Sequence, residues 1–162
     1  MSKKIFLFLF FSVTAAMAAE HTWLDSEKIG EFSMGMSDKN LKQKLNCAFK
    51  LGEDTMWGAD GLYHQTWDCP SLGISFDMSS GRKGGKKIIN QISIAAPSKL
   101  KTRRGIQIGS SEQQVIKAYQ DVKDMQGTIP HEMFVAGSVY GGLFFQFKND
   151  KVESIMLGSG AE

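Results

Sequence analysis

Phe32-Ser33-Met34-Gly35-Met36-Ser37-Asp38-Lys39-Asn40-Leu41 and Ile106-Gln107-Ile108-Gly109-Ser110-Ser111-Glu112-Gln113-Gln114-Val115 share one pattern. In each, an apolar alternation ends in glycine, a serine follows two places later, and an apolar helical stripe begins. Gly35 aligns with Gly109, Ser37 with Ser111, Leu41 with Val115 and Leu45 with Tyr119, all at one constant offset. Self-similarity at a fixed spacing marks a repeated supersecondary unit. Ser37 reads as a helix N-cap, with Asp38 favourable in the first turn because it faces the positive end of the helix dipole. In the second copy, Ser110 with Gln113 has capping-box spacing. Leu41 and Leu45, and Val115, Ile116 and Tyr119, form one apolar stripe on short helices. Such a stripe is a core face rather than a cofactor site.

Strands follow each predicted helix. Leu143–Phe147 and Val152–Leu157 flank Lys148-Asn149-Asp150-Lys151, which reads as a β-hairpin with a polar turn. Leu72–Met78 and Ile88–Ile94 form the corresponding first hairpin, with a longer turn from Ser79 to Lys87. A further strand pair is expected around Trp57, Tyr63 and Trp67, with Met133 to Val139 as its counterpart. Pro97-Ser98-Lys99 links the halves. The expected fold is α+β: two tandem units, residues 19–98 and 99–162, each a short helical segment packed on an antiparallel sheet.

Residues 1–18 read as a cleaved secretory signal. Lys3 and Lys4 precede the apolar run Ile5–Phe11, and Ala16-Met17-Ala18 supplies small residues at the cleavage positions. The apolar stretch falls short of the roughly 20 residues that a membrane span needs, so no stable membrane anchor is expected. Export to the bacterial periplasm follows. The whole chain carries 19 basic and 17 acidic residues. Removing Lys3 and Lys4 makes the exported part neutral. The charge is unevenly spread: from Arg82 to Arg104 the chain has only basic charges (Arg82, Lys83, Lys86, Lys87, Lys99, Lys101, Arg103, Arg104), between acidic flanks. Cys47 and Cys69 are the only cysteines. An even number in an oxidising compartment predicts a disulfide, and closing a loop of about 22 residues contributes roughly 3 kcal/mol. The competing reading is a catalytic thiol lowered in pKa by His21, His64 or His131.

A strand ending in Phe-x-x-Gly-Met-Ser, a short helix, and then the run Phe145–Ile155 with Asn149-Asp150-Lys151-Val152 at its centre resemble the SmpA/OmlA (BamE-like) family. The tandem arrangement, with Cys47 after the first helix and Cys69 before the next strand, is similar to the β-lactamase inhibitory protein family. That second resemblance implies two units whose sheets form a concave surface that binds an enzyme. This chain departs from both families: its second half has no cysteine, and it has no lipid-bearing cysteine.

The sequence offers poor enzyme signals. Metalloprotease, thiol-redox and nucleophile-elbow motifs do not occur. Gly109-Ser110-Ser111 is a helix start, and Asp60, His64 and Asp68 read as solvated residues of a polar loop, as do Pro130-His131-Glu132. Glycines 81, 84 and 85 among lysines lack Walker spacing. No cofactor and no metal are expected. Binding signals are better. The basic turn carrying Arg82, Lys83, Lys86 and Lys87 is a long, flexible protrusion, and long loops often carry function. Trp57, Tyr63 and Trp67 are candidate aromatic anchors of an interface. Export and a neutral exported chain disfavour nucleic acid. The function expected is a protein-binding module that inhibits or neutralises an enzyme by occluding its active site. A periplasmic or secreted hydrolase, or a cell-wall-degrading toxin, would be the partner. The alternative is an envelope-assembly or scaffold component resembling the BamE-like family.

Overall fold

The computed structural model describes residues 24–160; the predicted signal segment lies outside them. Eight antiparallel strands form one sheet. They are β1 (Lys50–Leu51), β2 (Thr55–Met56), β3 (Tyr63–Cys69), β4 (Ile74–Ser80), β5 (Ile88–Ala95), β6 (Met133–Ser138), β7 (Gly141–Lys148) and β8 (Lys151–Gly158). The order is β1-β3-β4-β5-β8-β7-β6, with β2 also on the outer edge of β3. The described residues also include two short α-helices, α1 (Asp38–Lys44) and α2 (Glu112–Tyr119), and single 3-10 turns at Pro70–Leu72 and Gln120–Val122.

This overturns the expectation of two helix-plus-sheet units. β5 and β8 pair directly, with Ile92 opposite Leu157, Ser93 opposite Met156, Ile94 opposite Ile155 and Ala95 opposite Ser154. Two separate sheets would each leave a long apolar edge strand bare, and unpaired backbone on such an edge is a liability. Joining the edges satisfies both at once. The molecule is therefore predominantly sheet, with the helices as minor elements.

Alternation along the strands sorts the sheet into two unlike faces. One face carries an apolar row that crosses six strands: Trp67, Phe76, Ile92, Leu157, Leu143 and Ala136 are successive register partners, and all are buried. Leu41 of α1 and Val115 and Tyr119 of α2 pack into this core. Tyr119 sits 5.2 Å from Phe145, and Phe32 meets Phe76 edge-on at 5.4 Å between ring centroids. Each fully buried side chain of this kind contributes roughly 1.5–3 kcal/mol. The opposite face takes no helix. On β3, β4 and β5 it carries His64, Thr66, Asp68, Ser75, Asp77 and Ser93; towards β6 it becomes apolar, with Met156, Phe144 and Val135.

The glycine-serine turns explain how the helices are held. Gly35 and Gly109 adopt φ of +77° and +85°, a region favourable to glycine. Their N–H groups donate to Ile89 and Val152, the second strands of the two hairpins. Ser37 and Ser111 then cap α1 and α2, accepting from the N–H groups of Asn40 and Gln114. The capping box is Ser111 with Gln114, one residue on from the expected Ser110 and Gln113. The Ser110 hydroxyl is used instead to close the preceding turn, accepting from the N–H of Gln107. Ile116, expected in the core stripe of α2, lies at the surface. The first hairpin's turn is also shorter than expected, since Ser79 and Ser80 pair within β4.

Cys47 and Cys69 are joined, with Cα atoms 6.2 Å apart. The bond ties the segment after α1 to the end of β3, and it leaves no free thiol among the described residues. The catalytic-thiol reading thus fails. Replacing both cysteines by alanine should lower stability by about 3 kcal/mol through the freed unfolded chain, read as a shift in the urea midpoint with the fold retained.

Candidate functional site

Hollows open on the helix-free face among the described residues. One, of about 730 Å³, lies where the β2–β3 connection folds over the end of the sheet, and is lined by Met56, Trp57, Asp60, His64, Asn90 and Ser159. A second of about 380 Å³ is lined by Asp68, Pro70, Ser75, Ser93 and Ser154. A third of about 350 Å³ includes Met133, Phe144, Met156, Ser93 and Ser154 in its lining. The last two share Ser93 and Ser154, so they form one groove across β5 and β8.

His64 lines the hollow of about 730 Å³. Strand alternation puts it opposite in direction to Trp67, and its side chain is only 2% exposed. Nδ1 lies 2.7 Å from Asp77 Oδ2 and Nε2 lies 2.9 Å from Asp60 Oδ2. Asn90 Nδ2 donates to the same Asp77 oxygen at 3.0 Å. The indole of Trp57 stacks on the imidazole, with centroids 3.8 Å apart and planes 5° from parallel. Both ring nitrogens are thus engaged, each by one carboxylate. The Leu62 N–H, and then the His64 ring, hold the Asp60 carboxyl below the usual carboxylate range. With both nitrogens occupied, the ring has no free site for general-base work. It acts as a post on which the 57–62 connection rests.

This corrects the reading of Asp60, His64 and Asp68 as a solvated polar loop. His64 is a buried strand residue, and its second carboxylate is Asp77 from β4. Asp68 instead accepts a hydrogen bond from the Ser75 hydroxyl. The Asp60-Gly61 turn four residues before His64 was a visible signal. Asp77 was not, because its approach depends on the β3–β4 register.

The predicted interface residues divide into two sets. Trp57 is 40% exposed, and Arg82, Lys83 and Lys86 are exposed in the β4–β5 turn. Tyr63 is half-buried at the same end of the sheet, paired with Ser80 and Met56. Trp67 is a core residue, 5.5 Å from the Phe49 ring, with Lys42 Nζ 4.6 Å above it. Its N–H donates to Gln65, so it cannot anchor a partner. Lys87 is also buried, its Nζ 2.7 Å from Asp54 Oδ1. The other Asp54 oxygen accepts the Gly84 N–H at 2.7 Å. These two bonds, Lys87 first, hold the Asp54 carboxyl below its ordinary value. The basic turn is therefore clamped at its base rather than loose along its length.

His131, in the other half, bridges Asp150 at 2.8 Å and Glu112 at 3.1 Å. The Asp150 hydrogen bond, with the Glu112 charge, raises its pKa. The trio brings three ligand-type atoms within 4.8 Å, and its internal ion pairing already accounts for the arrangement. It clasps the start of α2 to the β7–β8 turn.

No family model, curated protein or solved structure matches the chain.

Replacing His64 by alanine should cost roughly 1–3 kcal/mol, because Asp77, largely buried, keeps only the Asn90 amide of its two partners. Trp57 should lose its platform at the same time. Urea melts would read the first effect, and a red-shifted tryptophan emission before unfolding would read the second.

Proposed function

We propose that this protein is a protein-binding module of an oxidising compartment, the bacterial periplasm, that inhibits or neutralises an enzyme by covering its active site. The observation that carries the reading is the helix-free face of the sheet. A rigid eight-stranded platform presents a groove, an aromatic wall at Trp57 and a clamped basic turn along one side and one end. Binding sites that need little ordering on association keep more of their contact energy as affinity. The Cys47–Cys69 bond fits the same compartment. Among the described residues, no helix is long and apolar enough to cross a membrane. The hydrolase or wall-degrading toxin expected as partner would meet this face with its active-site cleft.

In this reading Arg82, Lys83 and Lys86 act by steering and rim contact. Lys87 belongs to the fold and stays. Changing the three exposed cations to serine should slow association and flatten its salt dependence while leaving the melting curve unchanged. Surface-plasmon or stopped-flow rates at several salt concentrations would show this. The partner for that measurement comes from photo-crosslinking at residue 57 in envelope extract. The same enzyme must also lose activity when the purified protein is added. An unchanged rate and salt slope would reduce the turn to a solvated hairpin end.

A further inference from the structure

We infer that the hollow beside Trp57 is a receptor for a single cationic side chain, the ammonium of a lysine or the guanidinium of an arginine, presented by the protein partner. This deepens the protein-binding reading and rests on it.

The charge balance of the helix-free face carries the inference. Strands β3, β4 and β5 contain no lysine or arginine, yet they hold Asp68 and Asp77. The β2–β3 connection adds Asp60 over the same surface. Among the described residues that line the hollow, the one basic group is His64, shared between Asp60 and Asp77. Whether that ring is neutral or protonated, two carboxylates against one imidazole leave the cluster net negative. The hydrogen bonds from Leu62 and His64 keep Asp60 ionised without using all its lone pairs. Its side chain is 41% exposed, so the unspent charge faces the hollow.

The walls suit the same ligand. Trp57 is fixed by its stack on His64 and remains 40% exposed. An indole held in place attracts a cation to its ring system, most strongly when both are partly desolvated. Met56, Gly58 and Ala59 provide an apolar rim for an aliphatic stem. The Asn90 amide donates to Asp77 through Nδ2, and its carbonyl oxygen adds an acceptor. An anion would meet a net negative floor. A neutral apolar group would leave Asp60 desolvated without a partner, which costs free energy.

The probes are butylammonium and butylguanidinium, with butanol as the neutral control. They are titrated into the full protein while the Trp57 indole N–H and the Asp60 backbone amide are followed by NMR. Both cations should shift these signals saturably in the millimolar range, and butanol should not. Asp60→Asn should weaken cation binding by about tenfold, the scale of losing one close charge, with distant resonances unchanged. If that variant does not fold, Trp57→Leu serves, with a loss in the same direction. A glycine-flanked lysine peptide should bind at least as tightly as butylammonium. Free amines that bind while the peptide does not would overturn the assignment to a partner's side chain. Equal shifts from butanol and butylammonium, or none from either cation, would overturn the receptor itself. Neither result would bear on whether an enzyme crosslinks at residue 57, so failure here is separable from failure of the protein-binding reading.

Discussion

The pairing of β5 with β8 is the constraint on which the remaining architecture depends. Four register pairs, from Ile92–Leu157 to Ala95–Ser154, fuse two hairpin systems into one sheet. Because the register keeps Ile92 and Ile94 level with Leu157 and Ile155, the apolar row stays on one face from β3 to β6. A slip of one residue would turn Ser93 and Met156 into that row and expose isoleucines instead. The helices follow the row, since α1 and α2 find their apolar partners only there. The other face is left for a different use.

That other face is chemically divided. Its polar end, on β3 to β5, holds Asp60 and Asp77 around one histidine and Asp68 bonded to Ser75, while the exposed cations Arg82, Lys83 and Lys86 sit on the turn beyond it. Its far end is apolar, where Phe144 and Met156 meet the groove. A surface with opposite charges a short distance apart discriminates among partners by the penalty on mismatched charges. The Trp57–His64 stack and the Asp54 clamp have the same effect from two sides. Each fixes a loop against the sheet, so the groups that would meet a partner are already placed.

Much of the local structure was legible in the sequence. Gly35-x-Ser37 announced a glycine turn with a serine cap, Gly109 announced a second turn whose cap is Ser111 rather than the expected Ser110, and both hairpins could be placed from period-two alternation. These signals are local, set by backbone conformations that only glycine adopts easily and by caps within three residues. The joining of β5 to β8 was not legible, because the partners are some sixty residues apart and the alternation of each strand suits either an edge or a central position. The same limit governs the candidate site. Trp57 and Trp67 look alike as aromatics near a sheet, yet strand parity buries Trp67 among Phe49 and Phe76 and leaves Trp57 to the hollow. Lys87 differs from Lys86 through Asp54, a residue more than thirty positions away, and through the Ser80 hydroxyl. His64 acquired its meaning from Asp77 across a strand pair.

One sheet predicts one cooperative unit. Trp57 and Trp67 lie beside and within β3, so the tryptophan fluorescence of a Trp23→Phe variant reports the part of the sheet around β3. Methyl resonances of Leu143 and Leu157 report β7 and β8. Urea unfolding followed by both probes on the same sample tests the fused sheet directly. Coincident transitions with one midpoint and one slope are the expected result. Two separated transitions, with the Leu143 and Leu157 methyls keeping their native shifts after the tryptophan signal is lost or the reverse, would contradict it.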